Sequence, residues 1–91
     1  MADAAKLAGI FKLFSVEPRV RIILALKRKG MCVTEIVSQL GISQEATSQH
    51  LKVLRDAGIV KFQKEGFYIY YSLDKQNTAN ILKTASALFE L

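Results

Sequence analysis

The chain has 91 residues, a single cysteine and a formal net charge of +5. This length allows one domain with a small core, whose stability is marginal unless association adds to it. A disulfide scaffold is excluded because Cys32 has no second cysteine to pair with, and a reducing, cytoplasmic location is therefore expected. The first helix-like stretch carries Asp3, Lys6 and Lys12 and has no long apolar run, so it predicts neither a signal peptide nor a membrane span.

The basic surplus is unevenly distributed along the chain. Residues 1–30 hold seven Lys or Arg against two acids, whereas residues 31–91 hold six of each sign. A basic balance favours an anionic partner such as nucleic acid, although it leaves other partners open.

Two helices are predicted at the start of the chain. In residues 4–14 apolar residues recur at spacings of three and four, which is the pattern of an amphipathic helix. Its apolar face consists of Leu7, Ile10, Phe11 and Phe14. Pro18 fits the first turn of a second helix, and Gly30 is expected to form its C-terminal cap.

Residues 34–57 predict a helix-turn-helix. Thr34 is expected to cap the first helix of the pair and Ser43 the second. Gly41 tolerates a left-handed backbone at the end of the first helix, and Gly58 stops the second.

A β-hairpin and a last helix follow. Residues 59–73 are rich in β-branched and aromatic residues, and Glu65-Gly66 within them is a turn signal, so a two-stranded wing is predicted. Asp74 can cap a helix over 75–91. Its apolar face consists of Ile81, Leu82, Ala85, Leu88 and Phe89. The predicted fold is a single winged helix-turn-helix domain over 1–91, mainly α with a small β-hairpin, in the order α-α-α-α-β-β-α.

The second helix of the pair has two different faces. At 100° per residue, one side of the helical wheel is core-facing and the other is polar. The core-facing side consists of Ala46, Thr47, Leu51, Val53, Leu54 and Ala57. The polar side consists of Glu45, Ser48, Gln49, Lys52 and Arg55. An ordinary solvated face has the same pattern, but the short helix before it and the hairpin after it favour insertion into a DNA groove, where amides and hydroxyls reach base edges and ammonium groups pair with phosphates.

The candidate DNA-binding residues lie in this helix and in the wing. They are Ser43, Gln44, Thr47, Ser48, Gln49, His50, Lys52, Lys61 and Lys64. His50 falls inside the apolar arc, so it is expected to be a packed, hydrogen-bonded histidine able to touch a phosphate at the helix edge. Tyr68, Tyr70 and Tyr71 are expected to pack in the sheet. A catalytic histidine needs a positioned partner, and without a second His or Cys no enzyme is predicted.

Three segments resemble the ArsR/SmtB family of repressors. Glu17-Pro-Arg-Val-Arg-Ile-Ile-Leu24 is similar to its second-helix signature, the segment from Ser43 to Val60 (SQEATSQHLKVLRDAGIV) to its recognition-helix signature, and Tyr70-Tyr71-Ser72-Leu73 to the strand that closes its wing. The resemblance implies a homodimer held by the first and last helices, a palindromic operator in double-stranded DNA, and repression. The implied dimer residues, which plain intrachain packing would also explain, are Leu7, Phe11, Phe14, Ile81, Leu82, Ala85 and Leu88.

The family's metal sites are not predicted here. The arsenic-binding Cys-Val-Cys-Asp-Leu stretch aligns with residues 32–36, where Thr34 replaces the second thiol, and one thiolate cannot hold a thiophilic ion. The zinc-type site needs His on the last helix, which has none and whose only acids are Asp74 and Glu90. No metal or other cofactor is therefore expected. Phe67 also departs from the basic residue expected after the wing glycine, and Lys64 is expected to take over part of its minor-groove contact.

The sequence thus predicts a DNA-binding transcriptional regulator, a homodimeric repressor that uses neither a membrane nor a metal. Three alternatives remain open. One is a winged helix that binds a partner protein, one is a repressor switched through the thiol of Cys32, and one is a repressor that binds a small hydrophobic effector between subunits. Inert packing is the alternative role for Cys32.

Overall fold

The computed structural model describes residues 3–89. Its elements, in chain order, are α1 (Ala4–Leu13), α2 (Glu17–Arg28), β1 (Met31–Cys32), α3 (Val33–Leu40), α4 (Gln44–Asp56), β2 (Val60–Glu65), β3 (Tyr68–Leu73), α5 (Lys75–Ala85) and a 3-10 turn, η1 (Ser86–Phe89). The predicted end of the last helix at 90–91, with Glu90 as an acid, lies outside the described residues. No helix within 3–89 is both long enough and apolar enough to span a membrane.

The predicted fold class is confirmed, and the predicted helices and strands follow in the predicted order with one further strand, β1, between α2 and α3. The main local signals are confirmed as well. The Ser43 hydroxyl accepts a hydrogen bond from the Ala46 N–H at 3.0 Å, and the Asp74 carboxylate accepts one from the Asn77 N–H at 2.9 Å. Gly41 has a left-handed φ of 69° at the end of α3. These caps satisfy backbone donors and acceptors that would otherwise be left unpaired at helix ends, so they fix where α3 stops and α4 starts.

Two predicted caps are wrong. Helix α3 begins at Val33 with Cys32 rather than Thr34 as its N-cap, because Cys32 is held extended by pairing with Tyr70 of β3. Helix α2 ends at Arg28, and its C-cap is Lys29 in an extended conformation, so Gly30 is not its cap. A Cβ atom at Gly30 would instead come within 3.2 Å of the backbone oxygen of Tyr71 in β3. The close approach of these two backbone segments explains the glycine.

The sheet has one strand more than predicted. Its order is β1-β3-β2 with all pairs antiparallel, and Met31 pairs with Tyr71 in the short first strand. Strands β2 and β3 pair from Val60 with Leu73 out to Glu65 with Tyr68. The loop is therefore Gly66-Phe67, with Gly66 at a positive φ of 61° as a tight hairpin turn with glycine in its first position requires.

The core lies between α2, α3, α4 and the base of the sheet. It is built mainly from the fully buried side chains Ile22, Met31, Ile36, Leu51, Leu54 and Ile59. Burial of each such side chain stabilises the fold by roughly 1.5–3 kcal/mol. Because two of these side chains belong to α4, the core fixes the rotation of that helix about its axis.

Helix α4 is joined to α5 through the chain reversal at Gly58. Gly58 has a φ of 79°, and its carbonyl oxygen accepts a hydrogen bond of 2.7 Å from the Asn77 side-chain amide. The Ile59 carbonyl accepts a second one from the Asp74 N–H at 2.8 Å. These bonds connect the end of α4, the start of the hairpin and the first turn of α5.

Candidate nucleic-acid interface

One face of α4 is polar and open to solvent. Gln44, Ser48, Gln49 and Lys52 are all exposed, and with Glu45 they border a broad, shallow surface. The Ser43 cap fixes the start of this face, and Leu51 and Leu54 bury the opposite one. The arrangement presents amides, a hydroxyl and an ammonium group on one continuous helix surface, which suits hydrogen bonding in the major groove.

Thr47 does not belong to this face. Its exposed fraction is 0%, and its hydroxyl donates to the Ser43 carbonyl oxygen at 2.9 Å. Its inclusion among the DNA-contacting candidates is therefore wrong: the side chain points into the core, on the side where the helical wheel placed it. Its hydroxyl instead reinforces the first turn of α4.

We expect Thr47→Val to lower stability and leave DNA recognition intact. The substitution keeps the buried shape and removes one hydrogen bond, at a cost of about 1 kcal/mol. Urea unfolding measures this cost, and duplex binding at a temperature where both proteins are folded measures recognition. Thr84→Val is the matched control, because Thr84 makes the same bond to Asn80 from an exposed position. A loss of base discrimination by Thr47→Val would contradict the structural role.

Two basic side chains of α4 already have partners within the chain. The Lys52 ammonium lies 3.3 Å from the Asp56 carboxylate, in an exposed i,i+4 pair. The Arg55 guanidinium lies over the Phe62 ring at 5.2 Å from its centroid. Lys52 can exchange its partner for a phosphate at little cost, because exposed ion pairs are weak. Arg55 instead holds the end of α4 against β2.

His50 lies at the edge of the helix and is half-buried. Within residues 3–89, the side-chain hydrogen bonds of α4 and its cap involve Ser43, Thr47, Lys52 and Asp56 but not His50. The predicted partial burial of His50 is therefore found, and its predicted hydrogen bond is not.

The hairpin projects from the body of the protein. Lys61 and Lys64 are exposed, and their cross-strand partners are Ser72 and Ile69. Since side chains alternate between the faces of a strand, the two lysines lie on opposite faces of the hairpin. Of the three tyrosines only Tyr71 packs as expected, with its ring 6.2 Å from that of Phe62. Tyr68 and Tyr70 are exposed.

A cavity of about 290 Å³ separates the hairpin from the helix-turn-helix. The residues that line it are Cys32, Val33, Thr34, Ser48, Phe67, Tyr68, Ile69 and Tyr71. Thr34 and Ser48 border the same cavity, so an exposed hydroxyl of α3 lies on the side of the molecule where α4 has its polar face. The sequence predicts Thr34 only as a cap, and no local signal places it at this cavity, because its position there depends on how α3 packs against α4.

The thiol of Cys32 contacts two polar side chains at the start of α3. Its Sγ lies 3.1 Å from the Thr34 hydroxyl and donates to the Glu35 carboxylate at 3.4 Å. The hydrogen bond from the Cys32 backbone N–H, then that from its thiol and then the Lys29 ammonium lower the pKa of Glu35 below its usual value. The Cys32 thiol is a soft metal ligand, whereas the neighbouring hydroxyl and carboxylate are hard ones. Among residues 3–89 no three His, Cys, Asp or Glu side chains come together as a metal site.

The candidate dimer residues divide into two groups. Leu7 and Ala85 are 8% and 6% exposed, because α1 and α5 pack together within the chain, so they are intrachain core rather than free interface. Phe11, Leu82 and Leu88 are exposed to between 42% and 50%. Phe14 and Ile81 are partly buried against the core. An apolar surface therefore remains on α1, α5 and the turn after it.

Comparisons with known proteins agree with this geometry. The family model of bacterial regulatory proteins of the arsR family matches residues 17–61, the segment that contains α2, α3 and α4. An HTH-type transcriptional regulator of Methanocaldococcus jannaschii is 38% identical over 97% of this chain and 100% of its own length. A cadmium resistance regulatory protein CadC homolog of Staphylococcus aureus is 35% identical over 86% of this chain.

The chain spans 65% of that CadC homolog, just under two thirds of its length. Among solved structures, an ArsR-like transcriptional regulator from Rhodococcus sp. RHA1 superimposes with a TM-score of 0.81 at 27% identity, covering 94% of this chain and 81% of the other. The helix-turn-helix, the wing and these relatives together show that the chain belongs to the ArsR/SmtB family of winged-helix transcriptional regulators.

Proposed function

We propose that the chain is a homodimeric repressor that recognises a palindromic operator in double-stranded DNA. The observation that carries this proposal is the exposed polar face of α4, held in one orientation by a fully buried face on its other side. The chain would act as one DNA-binding domain in the cytoplasm, without a catalytic step. Repression itself is proposed from relatives, among them a protein named as a transcriptional repressor SmtB homolog in Synechocystis.

The residues divide between base and phosphate contacts. Gln44, Ser48 and Gln49 carry amides and a hydroxyl that reach base edges in the major groove, where glutamine can bind adenine through two hydrogen bonds. Lys52 pairs with phosphates once it leaves Asp56, and the amino-terminal end of α4 at Ser43 favours an anion through its exposed N–H groups. These contacts fix the register of the helix in the groove.

The hairpin adds contacts on the flank of the same duplex. Lys61 and Lys64 supply positive charge there, and His50 lies close enough to the edge of α4 to touch a phosphate. Each phosphate that such a cation neutralises releases counterions, so binding is expected to weaken as salt rises.

A second copy of the chain is the expected partner of the exposed apolar surface on α1 and α5. Phe11, Leu82 and Leu88 form its most exposed part, and partly buried Phe14 and Ile81 border it. A two-fold axis through this surface relates two α4 helices, which then meet half-sites about one helical turn, roughly 34 Å, apart. The palindrome follows from this symmetry.

We expect Leu82→Glu to convert the dimer to monomer. The two-fold axis places the substitution at the interface twice, so it removes roughly 1.5–3 kcal/mol of apolar burial per copy and adds unpaired charge. Sedimentation equilibrium at micromolar concentration measures the mass, and operator affinity should fall with it. Leu24→Glu, an equally exposed leucine on α2, is the control that should leave the mass unchanged. A Leu82→Glu protein that remains dimeric would place the interface elsewhere.

The function is tested by selecting duplexes from a random pool and comparing the enriched duplex with a scrambled one by fluorescence anisotropy at equal ionic strength. A preference of about a hundredfold or more, within the range of specific DNA binders, supports the repressor. If no duplex is enriched, the polar face of α4 does not read DNA and a partner protein becomes the better occupant. Equal ionic strength matters because an acidic protein partner would also bind more weakly at high salt.

We propose that Cys32 is a structural residue and not a thiol switch. Cys32 caps α3, pairs with β3 and hydrogen-bonds through its thiol to Glu35, which are structural tasks. Cys32→Ser, which keeps a hydrogen-bonding side chain, tests this: the variant should release DNA no differently from the unmodified protein in the presence of thiol reagents.

A further inference from the structure

The tip of the hairpin carries an aromatic side chain that the fold does not use. Phe67 is 102% exposed, which means that its ring is covered by nothing in its own chain. The positive φ at position 66 explains why a glycine precedes Phe67. Phe67 itself has an ordinary negative φ that most residues can adopt, so the backbone does not explain the choice of phenylalanine. Tyr68 and Ile69 continue the exposed apolar surface away from the tip. Large contiguous exposed apolar surfaces mark binding sites, so the tip is a candidate for one.

The tip lies on the same side of the molecule as the polar face of α4. Phe67 and Ile69 line the 290 Å³ cavity together with Ser48, so the apolar tip and a residue proposed to read bases border one gap. A partner that covers Ser48 therefore lies against Phe67 as well. The strands hold the tip at this distance, because they stay paired up to Glu65 and Tyr68.

The charge of the hairpin favours a polyanion over an apolar protein surface at this position. From Val60 to Leu73 the ionised side chains are Lys61, Lys64 and Glu65, so the hairpin carries a net charge of +1 with one lysine on each face. Duplex DNA presents phosphates along both walls of its minor groove and apolar sugar and base surfaces inside it. A ring flanked by lysines matches that arrangement.

We propose that Phe67 is an apolar wedge that enters the minor groove next to the major-groove contact of α4 and bends the operator there. This proposal deepens the proposed function and depends on it. Apolar side chains that enter the minor groove partly unstack a base step and kink the duplex away from themselves. Pyrimidine-purine steps unstack most easily, so Phe67 selects a TA or CA step at a fixed distance from the bases that α4 reads, without hydrogen bonding to it.

The test compares bending and affinity on the enriched duplex. Energy transfer between dyes at the two duplex ends reports the bend, and anisotropy reports the affinity. Phe67→Ala should abolish the bend, weaken binding at least tenfold and remove the preference for the pyrimidine-purine step. Phe67→Leu keeps an apolar wedge and should keep the bend. Leu24→Ala removes an apolar side chain that is 57% exposed on α2, away from the hairpin, and should change neither quantity.

Phe67→Lys separates wedging from simple attraction. The added cation should restore affinity at low salt and steepen the dependence of log K on log salt by about 0.9 for one further phosphate, while the duplex stays straight. Thermal unfolding of all variants should match the unsubstituted protein, because the Phe67 side chain is fully exposed and no apolar burial is lost on substitution.

The outcomes also distinguish this proposal from the function on which it depends. If the unsubstituted protein enriches no duplex, the DNA-binding function fails and the wedge fails with it. If it binds the enriched duplex selectively but Phe67→Ala bends that duplex equally, only the wedge is overturned. A Phe67→Ala protein that changes its mass in solution but not the bend would assign the tip to a second copy of the chain and would likewise overturn the wedge.

Discussion

The double substitution Gln44→Ala/Ser48→Ala should remove sequence discrimination while leaving the protein folded. Both side chains are exposed on α4, so the substitution leaves the core unchanged, and alanine preserves the helix. Each lost base contact costs about 1–3 kcal/mol, so two contacts together correspond to a loss of roughly 30-fold to 10⁴-fold in affinity for the selected duplex. Affinity for the scrambled duplex should barely change.

The salt dependence supplies a second readout for this variant. Neither Gln44 nor Ser48 is a cation, so the slope of log K against log salt should be the same before and after substitution. The matched control is Ser38→Ala/Gln39→Ala, which removes the same two residue types from exposed positions on α3. If both double variants lose affinity equally, or neither does, α4 is not the reading element.

Among the glycines of this chain, Gly58 is the one whose substitution by alanine should cost the most stability. The left-handed φ of 79° strains any L side chain, and the new methyl would overlap the side-chain amide of Asn77, which is bonded to the Gly58 carbonyl. Strain and overlap together are expected to cost about 2–4 kcal/mol. For a domain of this size that corresponds to a fall of roughly 10–30 °C in melting temperature.

Gly41→Ala isolates the overlap from the strain. Gly41 has a similar φ of 69° but nothing within 4 Å of the added methyl, so it should lose only about 1 kcal/mol. Adding Asn77→Ala to Gly58→Ala removes the overlapping amide and should give a smaller total loss than the sum of the two single substitutions. Equal losses for Gly58→Ala and Gly41→Ala in urea unfolding would show that Asn77 does not approach Gly58 closely.

Much of the fold is predictable because its signals are local. Ser43 and Asp74 cap helices by accepting hydrogen bonds from N–H groups three residues away, and Gly41 and Gly58 mark left-handed positions by their residue type. The rotation of α4 about its axis follows from the spacing of its apolar residues. The helical wheel therefore predicts correctly that Thr47 faces the core, and this burial is the reason that its assignment as a DNA contact is wrong.

The features that the sequence could not predict depend on distant partners. Strand β1 has two residues, too few for any periodicity, and exists only because Met31 and Cys32 meet β3 almost forty residues later. Because of that pairing, α3 starts at Val33, and Gly30 lies close to the backbone of β3 and does not cap α2. The cavity bordered by Thr34 and Ser48 likewise depends on how α3 packs against α4.

The short strand β1 also affects the entropy of binding. Because Cys32 both pairs with Tyr70 and caps α3, it belongs to the wing sheet and to the helix-turn-helix, and we expect the two to move as one body. A wing attached only through β2 would have to be ordered when DNA binds, and that ordering would reduce the affinity. Preorganisation of this kind has an observable signature in the free protein. The amide hydrogens of β3 that face β1 should exchange with solvent as slowly as those of the core, and not at the fast rates of a swinging arm.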